Sequence, residues 1–196
     1  MKRSCKVHNV ESLDLDKANV EFNRKGIVVN EFLETSTRGT YATGDVIDGP
    51  KFAHVVTYGA HLVAVNIMVG NKRKVDFSKN SWVLFSEPKI ATAGFTEAKA
   101  IQEGYDVMIG IYDYKIDAAA QVASTPLGYL KYVVNKENLE IINVNICNCN
   151  AAALVGEAAL IVANKLTLKD VAQTLHPRPT MTEAFGILAQ KMLNKS

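Results

Sequence analysis

In residues 82–196 short strand-like runs come first and long helix-like runs come last, and this order does most to limit the fold. Trp82 to Phe85, Ile90 to Gly94, Val107 to Tyr112 and Tyr129 to Asn135 are short and bounded by turn residues. Asn135-Lys-Glu-Asn138 reads as a turn, so Tyr129 to Asn135 and Leu139 to Ile146 form a hairpin. A short helix from Thr96, ended by Gly104, sits among the strands. Three helices follow. The spacing predicts one over 151–164, one from Thr167 with a Thr-Leu-Lys-Asp cap, and one from Thr180 to the end. Strands followed by helices give an α+β fold, an antiparallel sheet with helices packed on it.

The part before residue 82 differs in texture. Residues 1–25 are polar and irregular, and Gly26 to Val29 is a short strand. Residues 53–69 are almost uniformly apolar, which at that length is a buried helix, with Gly70 as its stop. The polar run 71–81 is the most linker-like in the chain. The chain has 196 residues, 48% hydrophobic and 21% charged, enough for a full core. A net charge of +2 supplies no basic field for nucleic acid. No apolar run reaches the length of a membrane span, and the basic N-terminus has no apolar stretch of a secretory signal behind it. Three cysteines point to a reducing, cytoplasmic setting. Cys147-Asn-Cys149 places two thiols on one side of a strand. Without a second pair the motif is a weak metal signal, and a structural role is expected, with no metal site. Cys5 lies in the irregular terminus and is incidental.

Two stretches carry candidate chemistry. In TRGTYATGD, residues 37–45, a turn and a very short strand end on Gly44-Asp45. A carboxylate there accepts hydrogen bonds only, from a turn backbone or from a sugar-like hydroxyl, and Gly44 allows close approach of the backbone. In HPRPTMTE, residues 176–183, Thr180 and Glu183 have capping-box spacing. Arg178 is either a solvated loop residue or an anchor for an anion.

Four stretches together resemble the flavin-dependent pyridine nucleotide–disulfide oxidoreductases, of the mercuric reductase and dihydrolipoyl dehydrogenase branches. They are TRGTYATGDV, FSEPKIATAGFTEAKAIQEGYDV, GYLKYVVNKENLEIINV and ALVGEAALIVANKLTLKDVAQTLHPRPTMTEAF. They stand in the family's order and extend over roughly residues 20–192. The resemblance implies that residues 1–25 are the end of a nicotinamide domain. Residues 26–75 would close an FAD-binding α/β domain, and 82–196 would be the dimerisation domain of a homodimer. It implies that Asp45, beside Gly44, meets the ribityl chain of FAD, and that Phe52, Ala53 and His54 pass along the flavin through their backbone.

The resemblance also implies a catalytic loop at 176–183. The family's dihydrolipoyl branch has a His just before Pro-Thr and a Glu five residues later, acting as base and acid. Here Glu183 holds the second place and Arg178 the first. An arginine stays protonated and cannot be a base. His176 lies two residues early. Mercuric reductases lack that histidine too, so the resemblance favours their branch. The parent enzyme would pass electrons from NAD(P)H through FAD and a dithiol to a metal ion or disulfide. No Gly-x-Gly-x-x-Gly and no Cys-x-x-x-x-Cys occurs in the chain. Alone it is therefore expected to be inactive, with the flavin and nicotinamide portions supplied by the missing N-terminal domains. The alternative is a stand-alone dimerisation or interaction module without redox activity.

Overall fold

The computed structural model describes residues 8–195, which fall into two compact units divided after Phe77. Cys5 lies outside the described residues.

The first unit is mostly turns around one long helix. Strands β1 (Phe22–Asn23) and β2 (Gly26–Ile27) form a minimal antiparallel hairpin. Helix α1 spans Ala53–Val69 and ends on Gly70, whose φ of 77° is the left-handed stop that glycine adopts freely. Its buried residues are Val55, Gly59, Leu62 and Asn66, a single stripe at helical spacing. The expectation of a wholly buried helix is corrected: Val56, Tyr58, Ile67 and Met68 are exposed. Asn66 is fully buried and fastens the chain that leaves the helix. Its Nδ2 donates to the carbonyls of Phe32 (3.2 Å) and Arg73 (2.8 Å), and its Oδ1 accepts from the Arg73 N–H (2.9 Å). Val10 and Val20 share one core with Ile27, Leu33, Ala42, Ile47 and Leu62.

The second unit is the α+β layer structure. Strands β3 (Ser81–Leu84), β4 (Lys89–Gly94), β5 (Val107–Asp113), β6 (Tyr129–Asn135) and β7 (Ile141–Asn148) form one antiparallel sheet, ordered β3-β4-β7-β6-β5. The β6–β7 hairpin pairs Tyr129 with Cys147 and Val133 with Asn143, with an irregularity at Val133/Val134. Helix α2 (Glu97–Gln102) links β4 to β5 and is capped by the Thr96 side chain, which accepts from the Lys99 N–H at 3.3 Å. The short helix α3 (Ala118–Val122) lacks a strong sequence pattern. It is capped by buried Asp117, which also accepts from the Tyr112 hydroxyl at 3.0 Å.

Helices α4 (Ala151–Ala163), α5 (Leu168–Ala172) and α6 (Glu183–Leu193) close the unit. Helix α4 lies on β4 and β7, α6 on β5, and α5 against α6. Tyr114, Leu130, Tyr132, Ile146, Leu168, Phe185 and Leu188 are among the fully buried side chains between sheet and helices. The buried tyrosines keep their hydroxyls bonded, Tyr132 to the Phe185 carbonyl at 3.1 Å and Tyr114 to the Met181 carbonyl at 3.3 Å. Burial pushes the phenols of Tyr112, Tyr114 and Tyr132 well above the usual tyrosine range.

Two details depart from the sequence reading. Strand β7 runs to Asn148, so Cys147 is on the strand while Cys149 lies in the turn beyond it. The two thiols do not share a strand face, and both are free. Helix α6 begins at Glu183, with Thr182 as its cap residue, rather than at Thr180. The chain between α5 and α6 is held by its own side-chain bonds instead.

Candidate functional site

The loop between α5 and α6 gathers the sequence-marked residues of the second unit. His176 is not beside Glu183. Its Nε2 meets Glu157 Oε1 at 2.7 Å, with the imidazole only 9% exposed. Glu157 projects from the middle of α4 and is that helix's single charged residue. The sequence reading passed over it; the signal was a lone carboxylate in an otherwise apolar run. The other ring nitrogen of His176 packs against α6 at Gly186, where an added Cβ would stand 2.9 Å from Nδ1. A side chain there would push the ring off its carboxylate.

Two residues on, Arg178 Nε donates to Glu183 Oε1. The Glu183 side chain is 10% exposed and that of Arg178 78% exposed, so a nearly buried carboxylate holds a solvent-facing guanidinium. Glu183 Oε2 also accepts from the Thr180 N–H at 3.2 Å. That is one half of a capping box. The other half is missing, because Thr180 Oγ1 donates to the Pro177 carbonyl at 2.7 Å and lies 2.7 Å from Thr182 Oγ1. The peptide before Pro179 is cis. The loop is thus pinned at two points, to α4 through His176 and to α6 through Arg178. Between them opens a groove of about 310 Å3 that includes His176, Arg178, Glu183 and Gly186 in its lining.

In the first unit, Asp45 lies on a 3-10 turn, Gly44–Val46, rather than at the end of a strand, and is exposed. Gly44 has φ 84°, the left-handed backbone that glycine allows. Lys51 joins this turn to the start of α1: its Nζ donates to the carbonyls of Asp45 (3.3 Å) and Ile47 (3.2 Å) and lies 2.8 Å from His8 Nε2. Helix α1 opens from Phe52 in extended conformation with no side-chain cap. Ala53 and His54 are exposed, and the His54 ring stacks on Phe52 at 5.4 Å. An exposed carboxylate near a helix start without a side-chain cap suits a ligand that offers hydroxyls to the first and electronegative atoms to the second. Among the described residues no group of three or more His, Cys, Asp or Glu side chains could hold a metal ion. No described helix is long and apolar enough to cross a membrane.

Comparison with known proteins places this geometry. The family pattern described as "Pyridine nucleotide-disulphide oxidoreductase, dimerisation domain" matches residues 80–189. The chain is 36% identical to the mercuric reductase of Staphylococcus aureus over 182 residues, 92% of this chain and 33% of that protein. It is 34% identical to dihydrolipoyl dehydrogenase 2, mitochondrial, of Arabidopsis thaliana over 184 residues, 93% of this chain and 36% of that protein. It spans about a third of the length of the curated relatives it matches. Among solved structures, LpdA from Mycobacterium tuberculosis superposes with a TM-score of 0.86 at 20% identity, over 95% of this chain and 41% of that one. The Cu(II) complex of the HOCl-induced flavoprotein disulfide reductase RclA from Escherichia coli gives a TM-score of 0.82 at 20% identity, over 94% and 42%. With the five-stranded sheet, the three closing helices and the pattern over 80–189 in agreement, the chain belongs to the pyridine nucleotide-disulphide oxidoreductase family and carries its dimerisation domain.

Proposed function

We propose that this chain supplies the flavin-closing segment and the dimerisation domain of a mercuric-reductase-like, FAD- and NAD(P)H-dependent disulfide oxidoreductase that works as a homodimer in the cytoplasm. The observation that carries the reading is the 36% identity to a mercuric reductase, extending over 92% of the chain and hence over both units. In this reading residues 26–75 complete the flavin domain, 82–196 pair the subunits, and 1–25 are the end of a nicotinamide domain. When bound, FAD supplies the carrier that takes a hydride and returns electrons singly or in pairs. Asp45 would hold its polyhydroxyl chain, and the backbone from Phe52 to His54 would face its ring.

The loop at 176–183 would border the substrate. Arg178 remains a cation at any working pH and Glu183 is committed to it and to Thr180. His176 is committed to Glu157. In this reading the loop orients and attracts through Arg178, and Glu183 forms no dyad with a histidine. This supports the mercuric-reductase branch over a dihydrolipoamide substrate.

A chimera tests the reading. The chain is joined behind the flavin and nicotinamide domains of a mercuric reductase, replacing that enzyme's matching third. A yellow dimer that oxidises NAD(P)H is expected. Asp45→Ala in that chimera should lose flavin and keep the dimer. A chimera that folds but stays colourless, or one that Asp45→Ala leaves fully loaded, would overturn the assignment.

A further inference from the structure

The turn that follows β7 carries a free thiol into a cavity. Cys149 is half-buried and, with Glu87, Pro88, Thr125 and Leu127, helps to line a space of about 380 Å3. The loop before β6, which forms one wall, is pressed onto the end of β7: a Cβ on Gly128 would stand 1.6 Å from the Cys147 carbonyl oxygen. A cation is fixed beside the thiol. Lys89 Nζ donates to the Cys149 carbonyl at 3.2 Å and lies 3.9 Å from Glu87 Oε2. Glu87 reaches into water, so the ammonium stays near the thiol with its nearest carboxylate held loosely. Among the described residues two buried side-chain groups reach no hydrogen-bond partner, the Asn148 amide nitrogen and the Thr125 hydroxyl. The amide is turned to the Tyr114 hydroxyl, whose ionisation it favours. That leaves the Thr125 hydroxyl, in the wall of the cavity, as the group that wants a partner.

We propose that this cavity binds a small disulfide bearing a carboxylate, and that Cys149 is the residue this ligand modifies. The carboxylate pairs with Lys89, the Thr125 hydroxyl gains the partner it lacks, and Pro88 and Leu127 cover the ligand's aliphatic part. The Cys149 thiolate attacks the nearer sulfur of the ligand. A new S–S bond forms as the old one breaks. The leaving half departs as a thiolate with the electron pair and takes up the proton that Cys149 gave to water. Cys149 is oxidised, the leaving half is reduced, and the ligand itself is the oxidant. Cys147, on the strand, does not border this cavity. Nothing in the step uses flavin or nicotinamide, so it stands or falls apart from the oxidoreductase reading.

Dithiodiglycolate and hydroxyethyl disulfide, similar in size and different in charge, test this on the full chain carrying Cys5→Ser and Cys147→Ser. Modification of Cys149 is followed by mass spectrometry. Each rate is divided by that of the same chain unfolded in urea, which removes the probes' own reactivity. The normalised rate with dithiodiglycolate should saturate with concentration. It should exceed that with hydroxyethyl disulfide about tenfold, the scale of one charge-assisted hydrogen bond. Lys89→Gln should remove the preference and Lys89→Arg should restore most of it. Because Lys89→Gln also releases the Cys149 carbonyl, a second variant is needed that keeps that bond. Glu87→Gln frees Lys89 of its carboxylate neighbour and should raise the preference. Thr125→Val, nearly equal in volume, should weaken saturation severalfold. Equal normalised rates for the two probes would overturn the proposal. So would a rate that stays linear in concentration, or a preference that neither Lys89→Gln nor Glu87→Gln changes.

Discussion

Glu183 has two oxygens and two different duties, and this decides what substitutions there should do. Glu183→Gln keeps an oxygen for the Thr180 N–H and loses the charge and the hydrogen bond opposite an exposed Arg178. A pair with one partner in water is screened, so the expected cost is below about 1 kcal/mol in urea unfolding. Thr180→Ala removes the bond to the Pro177 carbonyl and the contact with Thr182, and should cost on the order of 1 kcal/mol. The cost would come from loop closure, since Thr180 does not cap α6. Two glycines make a sharper contrast. Gly128 has φ 103°, and a Cβ there would meet the Cys147 carbonyl oxygen at 1.6 Å. Gly156 is exposed inside α4, and a Cβ there would meet nothing within 4 Å. Gly128→Ala should destabilise by more than about 2 kcal/mol. Gly156→Ala should stabilise by about 0.5–1 kcal/mol. Equal unfolding midpoints for these two variants would refute this account of the backbone.

At the scale of elements, α5 is too short to persist by propensity and depends on its start. Thr167 and Asp170 form a complete capping box. Asp170 Oδ2 accepts from the Thr167 N–H at 2.8 Å and its hydroxyl at 2.6 Å, and Thr167 Oγ1 accepts from the Asp170 N–H at 3.3 Å. These bonds, the hydroxyl's first, hold the Asp170 carboxyl below its usual range. The folded value is thus lower than the unfolded one. The cap's contribution is fully present above the unfolded value, about pH 4, and fades as pH falls through the lowered folded value. Thr167→Ala should therefore lower stability by about 1 kcal/mol at neutral pH. The gap between variant and parent should narrow in acid, which paired denaturant titrations across that range would register. A gap that widens in acid would contradict the assignment. Helix α4 shows a different dependence: its apolar run is used on β4 and β7, while Leu160 stays 64% exposed.

For the whole molecule, the dimerisation-domain match and the exposed apolar residues lead to one expectation. Ile109, Ile111 and Tyr129 lie exposed on neighbouring strands β5 and β6, and Leu160 is exposed on α4. Exposed apolar area of this kind marks a surface that another protein covers. The chain should sediment as a dimer at micromolar concentration through residues beyond about 82. A stable monomer at that concentration would set aside self-association by this chain.

Element types were legible because they follow from local pattern. The apolar run 53–69 with a glycine after it became α1 over Ala53–Val69, and Tyr129–Asn135 became β6 residue for residue. Strands before helices gave the α+β class, since each apolar face needs a partner. What local pattern could not supply was which residues meet across the fold. Glu157 and His176 are nineteen positions apart and pair only because the loop after α5 turns back over α4. Helix α6 starts at Glu183 although Thr180 has the better capping spacing, because the Thr180 hydroxyl found Pro177 nearer. The burial of α1 on one stripe alone was also invisible, for a hydrophobic helix reads the same whether one face or every face is covered. Sequence by itself determined the elements and their order, through propensity and periodicity. Tertiary structure alone decided the pairing of charges around His176 and Arg178, because that pairing depends on distances between segments that share no local pattern.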